Sequence, residues 1–113
     1  MGSVIEKPWG HEEVLCEYEG VKIKRLLIKR GMRLSEQYHC RRDETMVCVG
    51  GEGYIQLGDT CLHLSAGSRP VYIDKYCVHR VCAAKSDFTL IEVQRGICED
   101  EDIVRLSDDF NRK

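Results

Sequence analysis

The chain lacks the features that would place it in several common protein classes. It has no apolar run approaching 18 residues, so a membrane-spanning helix is not expected. Met1–Gly10 carries no apolar stretch of signal-peptide length, which makes the cytoplasm the expected compartment. It has no strong charge of either sign: the net charge is -2, with acids and bases interspersed. A nucleic-acid-binding face is therefore not expected, since such a face needs a concentrated basic patch. The nearest cluster, Lys22-Lys24-Arg25-Lys29-Arg30, is broken by Val21 and Ile23, and the two lysines read as the wet side of a strand. No two of the seven cysteines have CxxC spacing, which argues against a structural zinc knuckle. An odd count without a signal peptide points to free thiols, most of them serving as small core side chains. The sequence shows no repeat, no low-complexity linker and no second domain. Its 113 residues suit one domain, 1–113, which can bury roughly 65% of its unfolded surface without staples.

What is present is a series of short strand-like runs at about ten-residue intervals, divided by glycine and polar turns. His11–Tyr18, Val21–Lys29, Arg33–His39, Thr45–Val49, Tyr54–Leu57, Cys61–Leu64, Pro70–Ile73, Val78–Ala83 and Phe88–Gln94 are the candidates. Met1–Gly10 reads as an arm, and Tyr54–Leu64 as a hairpin around Gly58-Asp59. The glycine-rich run 50–53 reads as the end of a strand. No amphipathic helix is expected before position 98. The acidic stretch Glu99–Asp102 suits the start of a short C-terminal helix, or else a solvated arm. The pattern predicts an all-β sandwich or barrel.

The chemistry concentrates in Gly31–Gly53. Gln37 and His39 share a strand face, and Glu44 opens the next apolar run after the polar segment 40–43. His79 lies in a later strand. An amide oxygen, two imidazoles and a carboxylate make a mixed N/O site for a divalent ion, with Mn, Fe, Co, Ni and Zn all admissible. Other polar residues have plainer readings. His63 belongs on a solvent face, Arg41 in a solvated turn, and Trp9 packs over a barrel edge. Cys40 and Cys77 pack rather than ligate. His11 and Glu13 are candidate bases by position alone.

The run G-x5-Q-x-H-x4-E-x6-G, at Gly31, Gln37, His39, Glu44 and Gly51, resembles the first cupin motif, with Gln in place of the usual first histidine. Gly67–His79 is similar to the second. KPWG, LSEQYHCRRDE, GEGYIQLGD, VHRV, IEVQRG and EDEDIVRLSDDFNR resemble, more narrowly, the cupin domain of type II mannose-6-phosphate isomerases, over about Lys7–Arg112. That domain also ends the bifunctional isomerase/mannose-1-phosphate guanylyltransferases. The resemblance implies a single-domain jelly-roll β-barrel, commonly a homodimer. It implies one divalent metal on Gln37, His39, Glu44 and His79. It further implies a phosphosugar substrate whose phosphate faces Arg42; Lys7 and Arg95 are weaker candidate cations for the same contact. The expected reaction is metal-dependent aldose–ketose interconversion. No counterpart of the guanylyltransferase's glycine-rich nucleotide loop exists here, so nucleotidyl transfer is not expected. The chain departs from the family pattern at Thr45-Met46 (usually His-Trp), at Asp74-Lys75-Tyr76 (usually Pro-x-Gly) and at Arg95 (usually Thr). Cysteines also stand near the site, at Cys40, Cys77 and Cys82. A non-catalytic sugar-binding cupin is the alternative that these departures keep open. An iron-dependent oxygenase ranks last, because its usual richer histidine set is missing.

Overall fold

The computed structural model describes residues 3–112. Among these, ten strands and no helix are present: β1 (Val4–Lys7), β2 (Gly10–Tyr18), β3 (Val21–Ile28), β4 (Glu36–Tyr38), β5 (Arg42–Leu57), β6 (Thr60–Ser65), β7 (Val71–Ile73), β8 (His79–Cys82), β9 (Phe88–Gly96) and β10 (Val104–Ser107). They form one curled antiparallel sheet in the order β1-β2-β3-β9-β5-β8-β4-β10, with β6 and β7 also paired to β5. Two expectations are corrected here. The amino-terminal arm contains β1, which pairs with β2, and the carboxy-terminal segment is the strand β10, paired with β4, rather than a helix.

The longest strand, β5, runs for 16 residues straight through the glycine-rich segment expected to end it. Its first part pairs with β9 and β7, its second with β8 and β6, so it passes between the two halves of the curled sheet. A register shift between Cys48 and Gly50 marks the crossing. Before the shift, Arg42, Glu44, Met46 and Cys48 are buried; after it, Gly53 and Ile55 are. One extra residue has inverted which face each side chain takes, as a β-bulge does. The glycines here answer to close approach rather than chain termination. Gly51 has φ +67°, and a Cβ there would run into the Asp87 carbonyl; one at Gly53 would run into the Phe88 ring.

The register sorts the interior into two ends. Leu26 of β3, Leu90 of β9 and Cys48 of β5 lie in one row across the sheet. They join Ile28, Phe88, Ile55, Leu64, Ile73 and Val81 in an apolar core. Two residues along, the next row is Lys24, Glu92 and Met46, and the one after is Lys22, Gln94 and Glu44. Lys22 and Lys24 are therefore inward and buried, and the expected solvent face of β3 is the reverse of the observed one. Apolar core at one end and buried polar side chains at the other is the arrangement of a barrel that keeps a site in its mouth.

Candidate metal centre and cavity

Four strands and one loop carry the side chains at the centre of the polar end. β4 carries Gln37, the loop after it His39, β5 Arg42 and Glu44, β8 His79, and β9 Glu92 and Gln94. Gln37 and His79 are direct cross-strand partners. The nitrogen and oxygen ligand atoms of His39, Glu44 and His79 lie within 4.8 Å of one another, and all three residues are buried. Both imidazoles are held in the same tautomer. His39 Nδ1 donates to the Asp102 carbonyl at 2.6 Å, and His79 Nδ1 donates to the Cys77 carbonyl at 2.9 Å. In the neutral rings this leaves each Nε2 as the lone-pair nitrogen facing Glu44, at 3.5 Å from Oε2 for His39 and 3.6 Å from Oε1 for His79. Glu44 Oε1 is buried without a hydrogen-bond partner among the described residues. Such an atom is costly unless something fills its valence.

The electrostatics of His39 and Glu44 agree with a ligand set, whereas those of His79 favour the protonated ring as long as Glu44 is its only counter-charge. Burial lowers His39, keeping its ring neutral at pH 7. Burial also opposes ionisation of Glu44, but His79, His39 and Arg42 outweigh it and bring the carboxyl down to about 2. For His79, the same carboxylate outweighs burial and raises the ring. Against the metal stands Arg42. Its Nε donates to Glu44 Oε2 at 3.0 Å, and its Nη2 lies 3.4 Å from His39 Nε2. The second contact is long, and Glu44 Oε1 and His79 Nε2 are free of it. Two oriented imidazoles and an ionised carboxylate with an unpaired oxygen fit a divalent ion. Gln37 is buried beside them, with Nε2 donating weakly to the Ser35 carbonyl at 3.4 Å.

The centre opens into a cavity of about 130 Å³ whose wall includes Lys7, Trp9, Glu12, Lys24, Glu92 and Arg105. Lys24 Nζ lies 3.3 Å from both Glu12 Oε1 and Asp100 Oδ1, and Lys7 Nζ lies 3.7 Å from Glu12. Burial weakens the Lys24 ammonium, yet Glu12, Glu92 and Asp100 together raise it, so it stays charged. Glu92 has no ion-pair partner within 4 Å among the described residues and accepts only from Gln94 Nε2, at 2.6 Å. Burial first, then the Glu44 charge, push its carboxyl up to about 7. A cation bound at Glu44 would reduce the second of these and leave the first.

That shift sets a stability dependence with a definite sign. The Glu92 carboxyl sits above its ordinary 4.5 when folded, so the folded state holds its proton more tightly. The stabilisation is complete below about pH 4.5 and is lost as pH rises through about 7. In chelator-treated protein, urea unfolding should show wild type losing on the order of 3 kcal/mol relative to Glu92→Gln across that window. A difference that is constant with pH would contradict the assignment.

Several site residues were not legible as such. Glu12, Lys24, Glu92, Gln94 and Arg105 were missed, and the neighbours His11 and Glu13, picked by position, are only partly buried and outside the cavity wall. Arg95 is misplaced as a substrate contact. It lies on the outer face, its Nε donating to Asp43 at 3.0 Å and its Nη2 to Thr45 Oγ1 at 2.8 Å, because Gln94 takes the inward position. Lys7 and Arg42 do line the cavity, and Trp9 is both core and wall. Cys40 and Cys77 stay outside the ligand cluster. The acidic tail is not merely solvated. The Asp102 carboxylate accepts the backbone N–H groups of Cys40 and Arg41 at 3.0 and 2.8 Å, and the Glu99 carbonyl accepts Arg42 Nη1 at 2.9 Å. Tyr76, in the departing loop, takes φ +63° and donates its N–H to the His39 carbonyl at 2.7 Å. The altered loop thus still braces His39.

The sequence pattern of the family described as Mannose-6-phosphate isomerase C-terminal matches residues 1–108. This chain belongs to that family. Among its relatives, the xanthan biosynthesis protein XanB of Xanthomonas campestris is 33% identical over 110 residues, covering 96% of this chain and 23% of the relative. The alginate biosynthesis protein AlgA of Pseudomonas aeruginosa is 31% identical, with the same coverage. A mannose-1-phosphate guanylyltransferase of Escherichia coli is 30% identical, again covering 96% and 23%. The chain therefore spans about a quarter of the length of these relatives. Among solved structures, the capsular polysaccharide assembling protein CapF of Staphylococcus aureus superposes with TM-score 0.82 at 15% identity, covering 95% of this chain and 34% of that one. KdgF of Halomonas superposes with TM-score 0.80 at 17% identity, covering 88% and 92%. At these identities the likeness is one of fold, and the all-β cupin architecture expected from the motifs stands.

Proposed function

We propose that the mannose-6-phosphate isomerase-family chain interconverts the aldose and ketose forms of a phosphorylated sugar, using one divalent transition metal held by His39, Glu44 and His79 with Gln37 as a further ligand. The observation that carries this reading is the pairing of an ordered ligand set with an unpaired buried carboxyl in one cavity. Both Nε2 atoms are freed by carbonyl acceptors on their Nδ1–H groups, Glu44 Oε1 has no hydrogen-bond partner among the described residues, and Glu92 faces the same space. Mn, Fe, Co, Ni and Zn all suit that donor set. When bound, such an ion polarises the C1 carbonyl or C2 hydroxyl and makes the C2 proton more acidic.

The remaining steps fall to the chain's own residues. Glu92 takes the C2 proton as a carboxylate and returns it at C1, while the O2 hydroxyl proton passes to O1 so that the C1 carbonyl becomes a hydroxyl as the C2 hydroxyl becomes the ketone; the role suits a carboxyl that exchanges protons near neutrality. Gln94 orients Glu92 through its 2.6 Å bond. Lys24 and Glu12 face the sugar's hydroxyl groups from β3 and β2, and Trp9 closes the apolar side of the wall. The test is turnover of mannose 6-phosphate to fructose 6-phosphate by metal-loaded protein, beside protein stripped with a chelator and then reloaded. Activity that disappears on stripping and returns on reloading supports the proposal; a metal-loaded protein without turnover contradicts it.

A non-catalytic sugar-binding cupin is the second reading, and Met46 favours it. This residue stands where the family usually has Trp, and it is both buried and part of the cavity wall. That reading expects saturable binding of the sugar phosphate with no chemistry at C2.

A further inference from the structure

Among the described residues, one cationic donor of the cavity wall has no acceptor. Arg105, on β10, lines the cavity, and its Nε is buried without a hydrogen-bond partner among the described residues. Its position is fixed by register. Arg105 is the cross-strand partner of Gln37, and Gln37 is the partner of His79. Directly opposed residues in an antiparallel ladder project to one face as close neighbours. Arg105, Gln37 and His79 thus form a row that ends in the metal centre.

The other cations of the wall are already engaged. Arg42 donates to Glu44 and to the Glu99 carbonyl. Lys7 and Lys24 face Glu12, and Lys24 also faces Asp100. Arg112 is clamped to Asp108, with Nε to Oδ2 and Nη2 to Oδ1 both at 2.9 Å. Arg112 nevertheless lines the same cavity and lies close enough to Arg105 for the two charges to repel, an effect that the Asp108 carboxylate offsets only in part. A guanidinium whose buried Nε lacks an acceptor, beside a second one immobilised by Asp108, is a place for an anion, and its fork of parallel N–H donors matches a phosphoryl group.

We infer that Arg105, flanked by Arg112, is the phosphate subsite of this cavity, taking the monoester phosphate of a sugar whose reacting carbons lie toward Gln37 and His79. This rests on the phosphosugar reading of the site and moves the phosphate contact from Arg42, where the motif suggested it, to a strand that the sequence did not reveal.

The experiment is calorimetric titration of metal-loaded wild type, Arg105→Gln and Arg105→Lys with mannose 6-phosphate, inorganic phosphate and mannose. Arg105→Gln should weaken both phosphate-bearing probes roughly tenfold or more, the range for losing a charged hydrogen bond. It should leave the affinity for mannose and the metal content unchanged. Arg105→Lys should recover part of the loss. As a check independent of any variant's folding, phosphate should shift the Arg105 Nε–H resonance of wild type. Equal affinity of wild type and Arg105→Gln for mannose 6-phosphate would overturn the inference. So would an unmoved Arg105 resonance at saturating phosphate, or a wild type that binds neither phosphate probe more tightly than mannose. Phosphate binding that depends on Arg105 in a protein without turnover would refute the isomerase reading and leave the subsite standing.

Discussion

Replacing Glu92 with glutamine is expected to reduce isomerase kcat by roughly 10² to 10⁴, the usual contribution of a positioned acid–base group. The substitution keeps size and shape and can still accept from Gln94, so little reason exists for the fold to change. Metal content should stay at the wild-type level, because Glu92 is not in the ligand cluster of His39, Glu44 and His79. KM for the sugar phosphate should move little, since the phosphate and metal contacts remain. The limb of the pH–rate profile that belongs to the base should disappear with it. The measurement is steady-state kinetics across pH beside metal analysis of the same preparations. A variant with full kcat would remove Glu92 from the chemistry, and one that had lost its metal would show that the residue supports the centre instead.

Glu44→Gln attacks the centre itself, and two consequences should appear together. The first is loss of bound metal, because the only carboxylate of the cluster has lost its charge. The second is a stability loss in the metal-free protein of about 3–5 kcal/mol, the typical cost of leaving one member of a buried ion pair alone. Arg42 is the member left behind: it is buried, and its Nε has Glu44 Oε2 as acceptor at 3.0 Å. Elemental analysis and urea unfolding of chelator-treated samples read the two effects separately. Metal retained at one per chain would show that Glu44 serves Arg42 rather than a cation. Unchanged stability would show that the Arg42–Glu44 pair is not a net support of the fold.

The candidate ligand residues could be picked out because their signal is local. Gln37 and His39 have strand parity, Glu44 follows a short polar connection, and His79 sits in a strand-like run. The residues around them were hidden by one general feature, a barrel interior that is apolar at one end and polar at the other. Val21 and Ile23 looked inward because they are apolar, yet Leu26 and Ile28 set the true phase of β3 and turn Lys22 and Lys24 inside. The same rule, followed from Phe88 and Leu90 along β9, would have found Glu92 and Gln94 and put Arg95 outside. Parity counted from the most apolar end of a strand was the missed signal.

Other features had no local signal at all. The continuity of β5 through Gly50–Gly53 depends on how closely Asp87 and Phe88 approach from β9 and the turn before it. The strand β10 is four residues long, and its place beside β4 is set by long-range pairing and by contacts such as Asp102 with Cys40 and Arg41. An acidic segment read alone looks solvated, whereas here it holds the loop carrying His39.

In the proposed reaction the candidate metal centre and Glu92 together move a proton at C2 of a phosphosugar. The most direct measurement is NMR of mannose 6-phosphate in D₂O with metal-loaded protein, following the C2 hydrogen beside a chelator-stripped control. The account predicts loss of the C2 proton signal and appearance of fructose 6-phosphate with the loaded protein alone. A C2 signal that persists while the sugar phosphate demonstrably binds would contradict it, and would make the chain a sugar-phosphate-binding cupin.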